Sequence, residues 1–376
     1  MIYLDHNSTT RPDPAVRQAM VEAQEFCWGN PSAQHSLGQE ARAALDEARG
    51  QVARLAGVTA MDVIFTSGGT EAVNQVLLGG RALAEPKHLI VSAIEHPCVL
   101  DAATLLERAG WEVTRLPVDG RGIVDPADLR RALKPETALI SVMLANNDTG
   151  VMQPVRELAT IAREAAIPLH TDIVQAAGRV AVNAVDLGAD FLTLSGHKFH
   201  GPKGTGAIIC GTRRRPAALL HGGPQEAGLR AGTENVTALT GLGVAAELVW
   251  QSLDSATDYM RELRDRLEEG LTAELADVVI HGAGVERLPN TLYMAFEGVR
   301  AQRLAARLDL DGIAVSTSSA CSTGSDAPPH VLLAMGVSPA LALGSIRFSV
   351  GRDNTRDEIE ETIGRVAELV TEMRRR

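Results

Sequence analysis

The sequence predicts an α/β fold: a mostly parallel seven-stranded sheet between helices, plus a smaller α+β domain. Three observations carry that expectation. Seven apolar runs of strand length fall between residues 63 and 210. Helical segments separate several of them, as parallel pairing requires. Small or polar clusters follow the runs, at the positions where parallel sheets bind ligands. The chain has 376 residues, enough for two domains.

Residues 1–12 read as short and extended. Asp13 and Pro14 open a helix to about Glu25, with Asp13 as N-cap and Pro14 in the first turn. Gly29-Asn30-Pro31-Ser32 is a turn, and 38–56 is helical by its pattern of alanine, leucine and charge. The strand-length runs are 63–66, 88–92, 112–116, 137–144, 168–171, 190–194 and 206–210, with helices expected at 100–109, 126–133 and 155–166. A long helical stretch covers 236–276. Beyond it, strands at 291–296 and 345–349 mix with helices at 302–308 and 356–373. We place the large domain at 13–250 and the small domain at 1–12 with 251–376.

Composition narrows the function. With 45% hydrophobic and 22% charged residues the chain is ordinary for a folded globular protein. The net charge is −11, and the basic runs Arg213–Arg215 and Arg374–Arg376 read as solvated faces, so no nucleic-acid partner is expected. The N-terminus lacks the pattern of a secretory leader, and no apolar run approaches the ~18 residues of a membrane span, so neither export nor a membrane partner is expected. Cys27, Cys98, Cys210 and Cys321 form no CxxC pair, which points to free thiols in a reducing, cytoplasmic setting.

The strand-end clusters carry the chemistry. Ser195–Gly204 holds Lys198 at a strand end among small and hydrogen-bonding neighbours, where an amine can act as a nucleophile. Ser67-Gly68-Gly69-Thr70-Glu71 opens a helix, and its free N–H groups suit a phosphate. Glu95-His96-Pro97, Asn146–Gly150, and Asp172 with Gln175 follow three further runs. Each cluster alone is an ordinary turn or helix start. His170, Asp172, His197 and His200 could suggest a metal, but they lack the HExxH spacing of zinc hydrolases. Jointly the clusters match pyridoxal 5′-phosphate, which needs a lysine for its aldehyde, a carboxylate for its pyridinium nitrogen and a helix N-terminus for its phosphate. Lys198, Asp172 and Ser67–Glu71 can fill those roles.

These motifs, with Tyr3–Thr10, Arg230-Ala231-Gly232-Thr233-Glu234-Asn235, Ser318–Gly324 and Ile346–Ser349, span essentially the whole chain. In that order they resemble the cysteine desulfurases of the NifS/IscS type, class V enzymes of pyridoxal-phosphate fold type I, and are most similar to the NifS branch. The resemblance implies a homodimer that converts L-cysteine to L-alanine and leaves the sulfur on Cys321. The sulfur would then pass to an iron–sulfur scaffold protein, with nitrogenase metallocluster maturation as its destination. It implies that Lys198 bonds the cofactor, Asp172 pairs with the ring nitrogen, Gln175 bonds the phenolic oxygen, and His96 stacks on the ring and moves protons. Gly69, Thr70, Ser195 and His197 would hold the phosphate, with Thr233 reaching in from a second subunit. Asn147 and Arg347 would hold the substrate carboxylate, and Asn147 would also touch the cofactor. Cys321, in the turn-rich stretch 316–329, would be the nucleophile and a transient iron–sulfur ligand. Cys98 is the rival nucleophile by its closeness to His96 in sequence. Pro224, Ala227 and Ile173 stand where the family more often has a glycine, an arginine and a small residue, which bears on loop geometry and rate. The alternative is another class V reaction, a selenocysteine lyase or a small amino-acid aminotransferase.

Overall fold

The computed structural model describes residues 1–79, 87–317 and 327–375. Its centre is a seven-stranded sheet of β2 (Val63–Thr66), β3 (His88–Ser92), β4 (Glu112–Leu116), β5 (Thr137–Ser141), β6 (Leu169–Asp172), β7 (Phe191–Ser195) and β8 (Gly206–Cys210). The order across the sheet is β2-β8-β7-β6-β5-β3-β4. All neighbours run parallel except β8, which is antiparallel to both β7 and β2. The short connection explains this: the ten residues 196–205 make a return, whereas a parallel crossover needs a dozen or more. Every run expected from the sequence is a strand. The run 137–144 stops as a strand at Ser141, and Asp172 falls inside β6 rather than after it.

Helices cover both faces. They include α1 (Pro14–Phe26), α2 (Ser36–Ala56), α3 (Gly69–Leu78), α4 (Pro97–Arg108), α5 (Pro126–Ala132), α6 (Val155–Glu164) and α7 (Ala184–Leu187). The caps are local and readable. Asp13 accepts a hydrogen bond from the Ala15 N–H at 2.8 Å, with Pro14 at the start of α1. Gly57, at φ 68°, ends α2 in the left-handed region open to glycine. Two apolar cores result, one on each side of the sheet. One joins α2, α6 and the start of α8 (Val236–Glu274) through Leu45, Val52, Leu158, Leu242 and Ala246. The other packs α3 and α4 on Leu89, Val91 and Ile208.

The helix α8 is 39 residues long and changes cores along its length. Its first half sits on the large sheet. Its second half contributes Met260, Leu263, Leu267 and Leu271 to a separate core. By length and apolar composition α8 could cross a membrane, which the sequence reading had not anticipated; here half of its apolar window is buried inside the protein. The second core also holds the antiparallel sheet β12-β10-β9, made of β9 (Val278–Ile280), β10 (Thr291–Phe296) and β12 (Ser345–Ser349). It is closed by α9 (Ala301–Leu310), α12 (Arg356–Arg374) and the parallel pair β1 (Ile2–Tyr3) with β11 (Ile313–Ala314). Two short helices, α10 (His330–Ala334) and α11 (Pro339–Ala342), put Val331, Leu332 and Ala342 into a smaller cluster with Ile94, Met143 and Tyr293. The N-terminal strand thus packs with the C-terminal third of the chain.

Candidate active site

The site lies at the carboxyl ends of β6 and β7. Asp172 closes β6 opposite Thr193 of β7 and is 7% exposed. Burial pushes its carboxyl up to about 6, opposed by a 2.7 Å hydrogen bond from the Val174 N–H and by the charge of Lys198. Lys198 ends the single turn Gly196–Lys198 that follows β7 directly. That turn is tight because Gly196 has no side chain: a Cβ there would fall 2.5 Å from Thr205 Oγ1. The Lys198 ammonium donates to the carbonyls of Asn7 at 2.6 Å and Ser8 at 2.9 Å.

Beneath Asp172, on the same face of β6, the His170 ring bonds Ser141 Oγ at 2.8 Å and Thr193 Oγ1 at 3.1 Å, tying three strands together. His197 bonds Thr9 Oγ1 at 3.1 Å, and His200 bonds the Arg11 carbonyl at 3.0 Å. Burial, and then the Lys198 charge, hold His197 down at about 4. These histidines therefore have separate partners. Among the described residues no group of three or more His, Cys, Asp or Glu could hold a metal ion.

The helix α3 begins beside Ser195, at the end of β7. Its N-cap, Gly68, makes no side-chain cap, so the first N–H groups stay available to an anion. The open Cα of Gly69 faces the site: a Cβ there would come 3.0 Å from Val174 and 3.5 Å from Ser195. Thr70 is exposed on the first turn. Glu71 would repel a phosphate, but it is paired with Arg230 at 2.9 Å. Ser195 Oγ leans on the Thr205 carbonyl at 3.4 Å. Thr233, three residues beyond Arg230, is exposed on the surface of this chain.

His96 caps α4, and its Nδ1 accepts from the Cys98 N–H at 3.2 Å. Its ring proton therefore sits on Nε2. Burial, then the charges of Lys198 and His330, hold it down at about 4, so it is neutral at pH 7. Cys98 Sγ lies 3.0 Å from the same Nδ1, yet burial and the nearby carboxylates of Asp172 and Glu95 drive its thiol far up, against thiolate formation. Glu95 is fully buried; Ser92 Oγ and the Met143 N–H donate to its Oε1 at 2.5 and 2.8 Å, while Oε2 has no hydrogen-bond partner among the described residues. His330, at the start of α10, bonds the Glu95 carbonyl at 3.0 Å.

From the three-stranded antiparallel sheet, Arg347 of β12 reaches the site. It donates to the Asn147 carbonyl at 3.1 Å, Asp148 Oδ1 at 3.2 Å, Asp5 Oδ1 at 2.8 Å and Ser8 Oγ at 2.8 Å. Asn147 Nδ2 donates to Asp148 at 2.8 Å, and its buried Oδ1 has no partner among the described residues. Gln175 Nε2 donates to the Asn7 carbonyl at 3.0 Å, while its Oε1 accepts from Arg179. The strap Asp5–Ser8 thus touches Lys198, Gln175 and Arg347 together. Arg179 escapes sequence reasoning about the site, and Asp5, Ser8 and Glu95 stand there only as members of motifs without a role, because nothing local marks what such a residue will touch. Cys321, the expected nucleophile and iron–sulfur ligand, lies outside the described residues.

The pocket suits pyridoxal 5′-phosphate on its own evidence: an amine, a buried carboxylate, an uncapped helix start that a side chain on Gly69 would fill, and an amide oxygen on Asn147 with no partner among the described residues. Fold and pocket together define a pyridoxal-phosphate enzyme. A model of the class-V aminotransferase family matches residues 2–362. The cysteine desulfurase IscS of Dictyoglomus turgidum is 43% identical over 99% of this chain and 95% of its own. The cysteine desulfurase NifS of Azotobacter vinelandii is 41% identical over 99% and 93%. Among solved structures, a NifS-like protein superposes with a TM-score of 0.91 at 34% identity, covering 98% of this chain and 99% of its own. SspA, solved in complex with cysteine, gives 0.83 at 31%, over 94% and 100%. The chain belongs to the class-V aminotransferase family, with the cysteine desulfurases of NifS and IscS type, and it uses pyridoxal phosphate.

Proposed function

We propose that this enzyme converts L-cysteine to L-alanine and keeps the sulfur as a persulfide on Cys321. The observation that carries the reading is the approach of Arg347, from β12, to the pocket that holds Lys198 and Asp172. That arrangement sets a carboxylate-binding group opposite an amine, as an α-amino acid requires. Bound, the cofactor supplies an electron sink for the carbanion at the substrate α-carbon. Asp172 would hold the ring nitrogen protonated. The Lys198 amine would take the α-proton and return it. Gln175 and Asn147 would bond polar atoms of the ring and substrate. Gly69 and Thr70 N–H groups, Ser195 and His197 would hold the phosphate, with the partner subunit's Thr233 in a homodimer. His96, neutral and carrying its proton on Nε2, would stack on the ring and donate that proton. The Cys321 thiolate would form the sulfur–sulfur bond as the substrate carbon–sulfur bond breaks. Support for Cys321 over Cys98 comes from Cys98 itself, whose surroundings oppose the thiolate.

The division into a domain of 13–250 and one of 1–12 with 251–376 belongs to the same reading, the catalytic stretch 316–329 being carried by the second. The persulfide sulfur would go to an iron–sulfur scaffold protein; the motif Arg230–Asn235 favours nitrogenase metallocluster maturation. Mass spectrometry after incubation with L-cysteine tests the reading. One added sulfur atom on Cys321, and its loss in Cys321→Ala with cofactor absorbance retained, is the expected result. Sulfur on Cys98 instead, or full alanine production by Cys321→Ala, would reject it.

A further inference from the structure

We infer that Asp5 is the resting counter-ion of Arg347 and that the α-carboxylate of the substrate displaces it. The inference rests on the proposed role of Arg347 as the carboxylate-binding residue. A guanidinium has five N–H donors. Here Nη1 serves the Asn147 carbonyl and Asp148, and Nη2 serves Asp5 and Ser8, so four are spent. The fifth, on Nε, is buried and has no hydrogen-bond partner among the described residues. Nε–H and the adjacent Nη2–H form the side edge of the fork, which takes both oxygens of one carboxylate. The Nη2 of that edge is held by one oxygen of Asp5 at 2.8 Å and by Ser8 Oγ at 2.8 Å, and its Nε is open.

An incoming carboxylate gains the unspent Nε donor and takes Nη2 from Asp5. One carboxylate replaces another, so no extra negative charge is buried against Arg347. Asp148 stays: its side chain is 5% exposed against 20% for Asp5, and Asn147 Nδ2 donates to it at 2.8 Å. Asp5 can release its grip without loss of the strap. Its backbone is bridged to Ser349, and Ser8 Oγ already donates to its Oδ1 at 2.8 Å. Asp5 is therefore a specificity residue, since a ligand must carry a carboxylate strong enough to compete with it.

The test uses the cofactor-loaded enzyme, titrated with L-alanine and followed by the cofactor's absorption. L-alanine has the carboxylate and lacks the sulfur. In Asp5→Asn the dissociation constant for L-alanine should fall about tenfold, equivalent to one modest charge contact, while that of L-alaninamide stays unchanged. Ser8→Ala, which leaves one Nη2 hydrogen unspent, should move L-alanine the same way by less, and it keeps the test alive if Asp5→Asn does not fold. Unchanged or weaker L-alanine binding in Asp5→Asn would mean that Asp5 only orients Arg347. If Arg347→Lys loses L-alanine while Asp5→Asn fails to tighten it, this inference falls and the Arg347 reading stands. If Arg347→Lys binds L-alanine as the wild type does, the Arg347 reading falls and takes this one with it.

Discussion

Glu95 is a carboxyl with no ion-pair partner among the described residues, held between the end of β3 and Met143. Burial pushes it up to about 8, so it is protonated at pH 7. An unfolded glutamate ionises near pH 4.5. The folded chain therefore holds the extra proton between about 4.5 and 8, and stability falls as pH rises through that window. Glu95→Gln, which copies the protonated form, should gain stability relative to wild type as pH rises from 5 to 8. Glu95→Ala should cost roughly 2 kcal/mol or more, because it strands the Ser92 hydroxyl and the Met143 N–H in the interior. Melting temperatures across pH decide both. Lys198 and Asp172 were legible in the sequence because each ends an apolar run beside glycine or polar neighbours. Glu95 was visible only as the neighbour of His96. The Asp5–Arg347 pair was invisible, since its members lie 342 residues apart.

The segment before Thr233 turns on two strained residues. Glu226 and Ala227 sit at φ 48° and 56°, the left-handed region that disfavours a side chain. Glu226 is held there by Arg49, at 2.6 Å, and by the Phe65 N–H of β2, at 2.8 Å. Ala227 has no such anchor in its side chain. Ala227→Gly should stabilise the protein by about 1 kcal/mol, seen as a melting temperature higher by about 1–2 °C. A lower melting temperature would show that the turn is not strained in solution. The sequence flagged Ala227 and Pro224 as departures but could not say that the backbone there runs left-handed. It read the long strands well, because each buried strand is a solid apolar run. It read residues 1–12, where β1 lies, as extended, but it missed β9 and β11, which are three and two residues long and too short to form a pattern. The antiparallel course of β8 was not anticipated either; pairing direction follows from connection length, not from composition.

Across the molecule, buried histidines set the response to acid. Burial is the first cause that lowers His6 and His170 to about 3 and His96, His197 and His281 to about 4. Below their ordinary 6.5 the unfolded chain binds protons that the folded one refuses, so stability is lost as pH falls from 6.5 toward 4. Asp172 and Glu95, both raised, work the opposite way but are outnumbered. The cofactor-free protein should therefore take up several protons on unfolding at pH 5, measured as a steep fall of melting temperature between pH 6.5 and 4.5. A flat profile there would show that these rings are solvated. The strap Asp5–Ser8 has a last consequence, in time rather than in space. Synthesis runs from the N-terminus, so the strap is made first, yet Lys198 comes nearly two hundred residues later and Arg347 at the end. The large sheet can be complete at Cys210 while Arg347 is still unmade. An unfinished chain can thus own a sheet and a lysine but no finished pocket, which makes the binding of substrate a report that translation has reached β12.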